Sequence, residues 1–270
     1  MGKVESVGTE PWDVPLTADG RATLWRLVDE YARSGMGHEL GLTLSNLAYV
    51  YKHLGTGDPN VPAWAEAGRV GRLAVDLLRK TDDREGLAKA LRNAALAFLP
   101  GKDEMLEEAR VICAEIGDFS GEGLALFAMA VPPRKDIDDL LDQARICFER
   151  SGNKAGLTDI KHRLGIIRCD AHMIATAAEE FASAGNLRSA ERAYVAASAF
   201  GRDVLGFEEV EQFLLKALRL AEAAADTERQ VSYLKSLVRE LKRAGEKESA
   251  KRYRSMLKAL NASVESVPVS

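Results

Sequence analysis

Asp138-Asp139-Leu140-Leu141-Asp142 sets the carboxylates of Asp138 and Asp142 one helical turn apart on a single face. Two acids so placed suit a hard divalent cation such as magnesium, and through it a diphosphate. The same acids fall in the first turns of a helix expected from Lys135 to Ser151, where negative charge meets the positive end of the helix dipole. Leu140 and Leu141 between them are needed for that helix's apolar stripe, and no second acidic motif stands on a partner helix, so the spacing reads as a solvated helix start. His162, Cys169, Asp170 and His172 lie within eleven residues across another expected helix end, and such nitrogen and sulfur atoms can hold zinc. Zinc sites are commonly built from two close pairs separated by a loop. Here only Cys169 and His172 form one, and the group reads as turn and surface residues. His38 and His53 stand elsewhere with no serine or cysteine nucleophile arranged beside them, and no glycine-rich phosphate loop occurs. We therefore expect no catalytic residue, no metal and no cofactor.

The elements that carry these residues recur. The apolar spacing Met105, Ala109, Ile112, Cys113 returns 35 residues later as Leu140, Ala144, Cys147, Phe148, and stands 35 residues earlier as Val70, Ala74, Leu77, Leu78. Each stripe runs out into a turn at Asp82, Gly117 or Gly152. A period of about 34 residues, long enough for two helices, is that of a helical solenoid, whose units bury their apolar faces only by stacking on neighbours. Stripes and breakers together mark thirteen helices. The first is capped by Thr17 and stopped by Gly35 and Gly37, and the second runs from Gly37 to Leu54. Pro62 to Lys80, Asp83 to Phe98, Lys102 to Ile116, Ser120 to Val131, Lys135 to Ser151 and Asn153 to Arg168 follow. Asp170 to Ala184, Leu187 to Gly201, Phe207 to Ala225, Thr227 to Ala244 and Glu246 to Asn261 complete the series. Pro62 is expected at a first helical position, and Gly185 and Gly245 just past helix ends.

Composition agrees with packed helices: 46% apolar and 29% charged residues suit a folded soluble chain, and only 6% aromatic content favours helices over sheets. A net charge of −4 is too small to imply nucleic acid or membrane partners across the whole surface. Cys113, Cys147 and Cys169 are an odd number without paired spacing; the first two lie on apolar stripes, which suggests buried free thiols and a reducing compartment. Met1 to Asp19 has no signal-like basic and apolar regions, and no window offers the ~18 apolar residues of a membrane span. The expected location is cytoplasmic.

Leu44-Ser45-Asn46-Leu47-Ala48-Tyr49-Val50-Tyr51 resembles the first helix of a tetratricopeptide repeat, with a large apolar residue, then Asn-Leu-Ala, then an aromatic three positions on. Ala48 is the small residue that lets the paired helix approach, while Leu44, Leu47 and Tyr51 fill the space between helices. Leu91-Arg92-Asn93-Ala94-Ala95-Leu96-Ala97-Phe98 repeats the pattern. Gly185-Asn186 with Ala190, Tyr194 and Ala197, and Gly245 with Ala250 and Leu257, resemble the family's second helix. The turns are similar to a subgroup with Gly-Asp followed by Gly-Leu-Ala: Asp83 with Gly86-Leu87-Ala88, Gly117-Asp118 with Gly123-Leu124-Ala125, and Gly152-Asn153 with Gly156-Leu157-Thr158. The segment Leu124 to Val131, ended by Pro132-Pro133, is short for the pattern, and Asp170 to Gly201 can be phased either way.

The resemblance, spanning about Gly37 to Leu260, implies an all-α right-handed superhelical solenoid of about six helix pairs plus an N-terminal helix. Residues 1–16 are expected to be a flexible leader, 17–261 the repeat domain and 262–270 a frayed tail. The family implies a non-enzymatic scaffold that binds a peptide segment or partner protein in a concave groove lined by the first helix of each pair. In this register Leu42, Ser45, Tyr49 and Lys52 face the groove from one repeat and Lys89, Arg92 and Leu96 from the next. Asp159, His162 and Ile166 follow, then Ser232, Lys235, Arg239 and Lys242. Between Asp226 and Lys258 ten Lys or Arg stand against five Asp or Glu, a balance of +5 that leaves −9 elsewhere. The partner expected at the C-terminal end is therefore acidic, and nucleic acid is disfavoured because the basic stretch is short, poor in aromatics beyond Tyr233 and Tyr253, and joined to an acidic body. The second reading is a regulatory sensor that takes a small molecule or short signalling peptide. The third is an all-α metal-dependent enzyme acting on prenyl diphosphates.

Overall fold

A computed structural model describes residues 17–54, 62–95 and 101–265. Among the described residues there are thirteen α-helices and no strand. Helices α1 (Ala18–Ser34), α2 (Gly37–Leu54), α3 (Ala63–Leu78), α4 (Arg84–Ala95), α5 (Lys102–Ile116), α6 (Phe119–Met129) and α7 (Ile137–Ser151) belong to one compact unit. Helices α8 (Lys154–Ile167), α9 (Ala171–Ser183), α10 (Leu187–Gly201), α11 (Phe207–Ala223), α12 (Thr227–Ala244) and α13 (Lys247–Glu265) belong to a second, with the division between Asn153 and Lys154. The expected leader over 1–16 and the residues Leu96, Ala97 and Phe98 lie outside the described residues. Helix α13 continues to Glu265, past Asn261 where a frayed tail was expected to begin. Pro62 is the N-cap of α3 and not its first helical residue.

Several helices end where an apolar stripe runs into a left-handed turn. Gly117, with φ of 75°, and Gly152, with φ of 68°, are left-handed, and the next residue's N–H returns to the carbonyl five positions back: Asp118 to Cys113 at 2.8 Å and Asn153 to Phe148 at 2.9 Å. The residue that closes one helix can then cap the next; the Asp118 carboxylate accepts from the Gly121 N–H at 2.8 Å. The same turn recurs at Cys169-Asp170 and Ala225-Asp226, where non-glycine residues hold φ of 53° and 52°. Asp170 accepts from Met173 N–H and Asp226 from Arg229 N–H. The Gly-Asp spacing in the sequence is thus a helix stop and a helix start in adjacent residues.

Within each unit the helices pack on their neighbours in sequence order, as expected of an all-α solenoid. The recurring stripe lies on α3, α5 and α7 and is inside: Val70, Ala74, Leu78, Ala109, Ile112, Cys113, Leu140, Ala144, Cys147 and Phe148 are buried, with Leu77 and Met105 half-buried. Ala48 does what a small residue should. Its Cβ comes within 3.5 Å of where a Cβ on Gly71 would stand, and that same position would meet the Ala94 backbone at 2.9 Å, so α2, α3 and α4 approach closely only because these residues are small.

Second-neighbour packing falls on the even-numbered helices: α2 packs on α4 and α4 on α6 in the first unit, and α8 on α10 in the second. Helices α2, α4 and α6 therefore share one wall in the first unit, and α8 and α10 do so in the second. This places α10 with α8, although its sequence, Gly185-Asn186 followed by Ala190, Tyr194 and Ala197, resembles a second helix.

Candidate functional site

All the expected groove residues that are described stand on even helices, α2, α4, α8 and α12. They do not all reach the surface. Ser45 is 1% exposed, and both its carbonyl and its Oγ accept from the Asn93 amide of α4, at 3.1 and 3.0 Å. The sequence reading of Ser45 as a groove residue is thereby corrected, because α4 packs directly over it. Leu42 is half-buried against the core cluster of its unit. Leu96 lies outside the described residues.

Tyr49 remains exposed, its ring 4.3 Å from that of His53. Lys52 and Lys89 are half-buried, and burial lowers the pKa of each; for Lys89 the Arg92 guanidinium adds to the effect. Arg92 donates to the Cys113 sulfur at 3.3 Å, which ties α4 to the end of α5. Cys113 and Cys147 are buried thiols pushed up to about 11, chiefly by burial, which disfavours the nucleophilic thiolate at neutral pH. Cys169 is exposed at its turn.

In the second unit α8 carries three groups whose ionisation is perturbed chiefly by burial. Burial pushes the Asp159 carboxyl up to about 6, against the opposing pull of Arg163. Burial holds the His162 imidazole below its usual range, with Arg192 and Arg163 adding to the effect. The His162 ring stands edge-on to Phe181, with centroids 5.9 Å apart, and its Nε2 is enclosed without a hydrogen-bond partner. Ile166, one turn on, is 37% exposed. A carboxyl near neutrality, an imidazole kept neutral and a guanidinium on one helix face can exchange protons and hydrogen bonds with a polar ligand. On α12, Ser232, Lys235, Arg239 and Lys242 are all exposed.

Two buried acids were missed from sequence. Glu191 on α10 is 2% exposed; it receives the Tyr233 hydroxyl at 2.6 Å and pairs with Arg229, itself held 2.6 Å from Asp226. Glu240 on α12 is 5% exposed and faces three arginines. The available signal was their position: Glu191 adjoins Ala190, and Glu240 precedes Leu241, so each lies on the edge of an apolar stripe.

The residues first read for chemistry have structural duties. Asp138 stands in the first turn of α7, and Asp142 lies 3.5 Å from Arg145 on the same helix. Asp170 is occupied as the cap of α9. No protein-family model matches the chain, and no curated protein matches its sequence.

Proposed function

We propose that the chain is a non-enzymatic, tetratricopeptide-like scaffold of the cytoplasm that binds a peptide segment or partner protein on the wall formed by its even helices. The observation that carries this reading is the packing of α2 on α4 and of α8 on α10, which gathers polar side chains from sequence-distant helices onto one face of each unit. That face offers the half-buried cations Lys52 and Lys89 in one unit, and Asp159 with the enclosed, unpartnered Nε2 of His162 in the other. Half-desolvated groups of this kind form stronger hydrogen bonds with a ligand than fully hydrated ones, which suits recognition. Among the described residues no helix is long and apolar enough to cross a membrane.

The test is capture from a lysate of the source cells, with the full chain as bait, followed by direct titration of the captured partner. Replacing Tyr49 and Lys89 with Ala in one variant, and Asp159 and His162 with Ala in another, should weaken the partner's affinity. Replacing the exposed Ile146 of α7 with Ser should leave it unchanged. A partner that binds all the wall variants as it binds the wild type would exclude the even-helix wall as its site.

A further inference from the structure

The turn between α10 and α11 and the C-terminal end of α12 border an open pocket of about 580 Å³ that is separate from the α8 cluster. Arg202, Asp203, Phe207, Val210, Glu240 and Arg243 line it. Glu240 is almost wholly buried, and three guanidiniums converge on it: Arg202 Nε at 3.2 Å and Arg239 Nε at 3.3 Å from one oxygen, and Arg243 Nη1 at 3.3 Å from the other. With Asp203, the second acid of the lining, counted beside Glu240, the three cations leave a local charge of +1. Each contact is long and single-pronged, whereas a guanidinium matches a carboxylate best through two parallel N–H bonds. One carboxylate cannot satisfy three such forks. The shortfall is visible at Arg202, whose Nε is enclosed yet makes no hydrogen bond, because its N–H is not aligned with the oxygen beside it. Among the described residues the remaining N–H groups of Arg202 and Arg243 have no acceptor besides Glu240, and these are the donors that a second oxyanion at the pocket would meet.

The remaining walls say what should carry that oxyanion. Phe207 and Val210 form an apolar side suited to the methylenes of an acidic side chain, and Asp203, the other acid of the lining, is exposed on the turn. Lys235, Arg239 and Lys242 extend the positive charge along the exposed side of α12, where flanking acids of the same segment would lie. We propose that this open pocket docks a Glu or Asp side chain of an acidic partner segment, with the carboxylate held by Arg202 and Arg243. The proposal rests on the reading of the chain as a peptide-binding scaffold, and adds a site and a charge requirement to it.

A fluorescein-labelled hexaglutamate peptide titrated with the full chain, and read by fluorescence anisotropy, tests it. Arg243 is exposed enough to be replaced without disturbing the core, and Arg243→Gln should weaken binding about tenfold, as loss of a charge-assisted hydrogen bond does. Arg202→Gln should do the same. Glu240→Gln, by removing the competing carboxylate, should tighten binding. No saturable binding of the peptide by the wild type, or equal binding by wild type and Arg243→Gln, would overturn the proposal. So would an Arg243-dependent thermal shift with inorganic phosphate from a chain that ignores the peptide, since the pocket would then serve a free oxyanion. Hexaglutamate binding lost in Lys89→Gln but kept in Arg243→Gln would overturn the pocket while leaving the even-helix wall in place. The wall itself fails only through its own variants.

Discussion

Asp159 is the side chain whose environment makes the clearest demand on pH. Its folded carboxyl titrates near 6, raised by burial from an ordinary 3.8 and partly restrained by Arg163. A carboxyl raised on folding favours the folded state at pH values below both, and that contribution is lost as pH climbs from about 4 through about 6. Asp159→Asn removes the loss, so the variant should exceed the wild type in stability by about 1–3 kcal/mol at pH 8, with the difference vanishing at pH 4. His162, whose imidazole is lowered, acts in the opposite direction: its contribution is lost as pH falls. The comparison of wild type with Asp159→Asn by urea unfolding across that range isolates the carboxyl. A pH-independent difference would exclude the buried acid as its source. Glu191 and Glu240 show the alternative solution for a buried acid, which is to surround it with Arg229 and Tyr233 in one case and with three arginines in the other.

The helices are limited by their turns and by how closely they approach. Cys169 and Ala225 occupy the left-handed position that Gly117 and Gly152 occupy in equivalent turns, at a steric cost of roughly 1–2 kcal/mol for a residue with a Cβ. Glycine loses more chain entropy on folding, so Ala225→Gly and Cys169→Gly should each stabilise by a net ~0.5–1 kcal/mol, a rise readable as a shift in the urea midpoint. Gly71 behaves in the reverse sense. A helix interior ordinarily prefers Ala, but here the added methyl would stand 2.9 Å from the Ala94 backbone, so Gly71→Ala should destabilise by about 1–3 kcal/mol. Ala109, fully buried on α5, should lose at least as much when replaced by Phe. Unchanged melting of either variant would mean that the close helix approaches are not tight in solution.

At the scale of the molecule, charge is divided unequally along the chain, with +5 between Asp226 and Lys258 and −9 over the rest. Lys235, Arg239 and Lys242 are exposed on α12, so they act on a partner through solvent and should govern association rate more than residence time. Reversing all three to Glu is expected to slow association of an acidic peptide and to flatten its salt dependence, while dissociation changes less. Stopped-flow association at several ionic strengths gives the answer; an unchanged salt slope would reduce the stretch to a solubilising end of the solenoid.

The sequence by itself determined that the chain is a series of helices, thirteen among the described residues, and, to within a few residues, where most of them stop. Asp118, Gly117, Gly152 and Gly245 act on groups within five residues, and apolar stripes such as Val70, Ala74 and Leu78 repeat over a single turn of backbone, so their consequences are local and legible. Tertiary structure alone decided which polar positions stay available. Ser45 and Lys52 are spaced as two members of one exposed face, yet Asn93, far along the chain, covers the first, while the second is only half-buried. Likewise Arg202, just past the end of α10, reaches Glu240 of α12, a residue far from it in the chain. Helix periodicity fixes which side chains share a face; which face is then covered, and by what charge, depends on contacts between residues far apart in the chain, whose pairing no local spacing encodes.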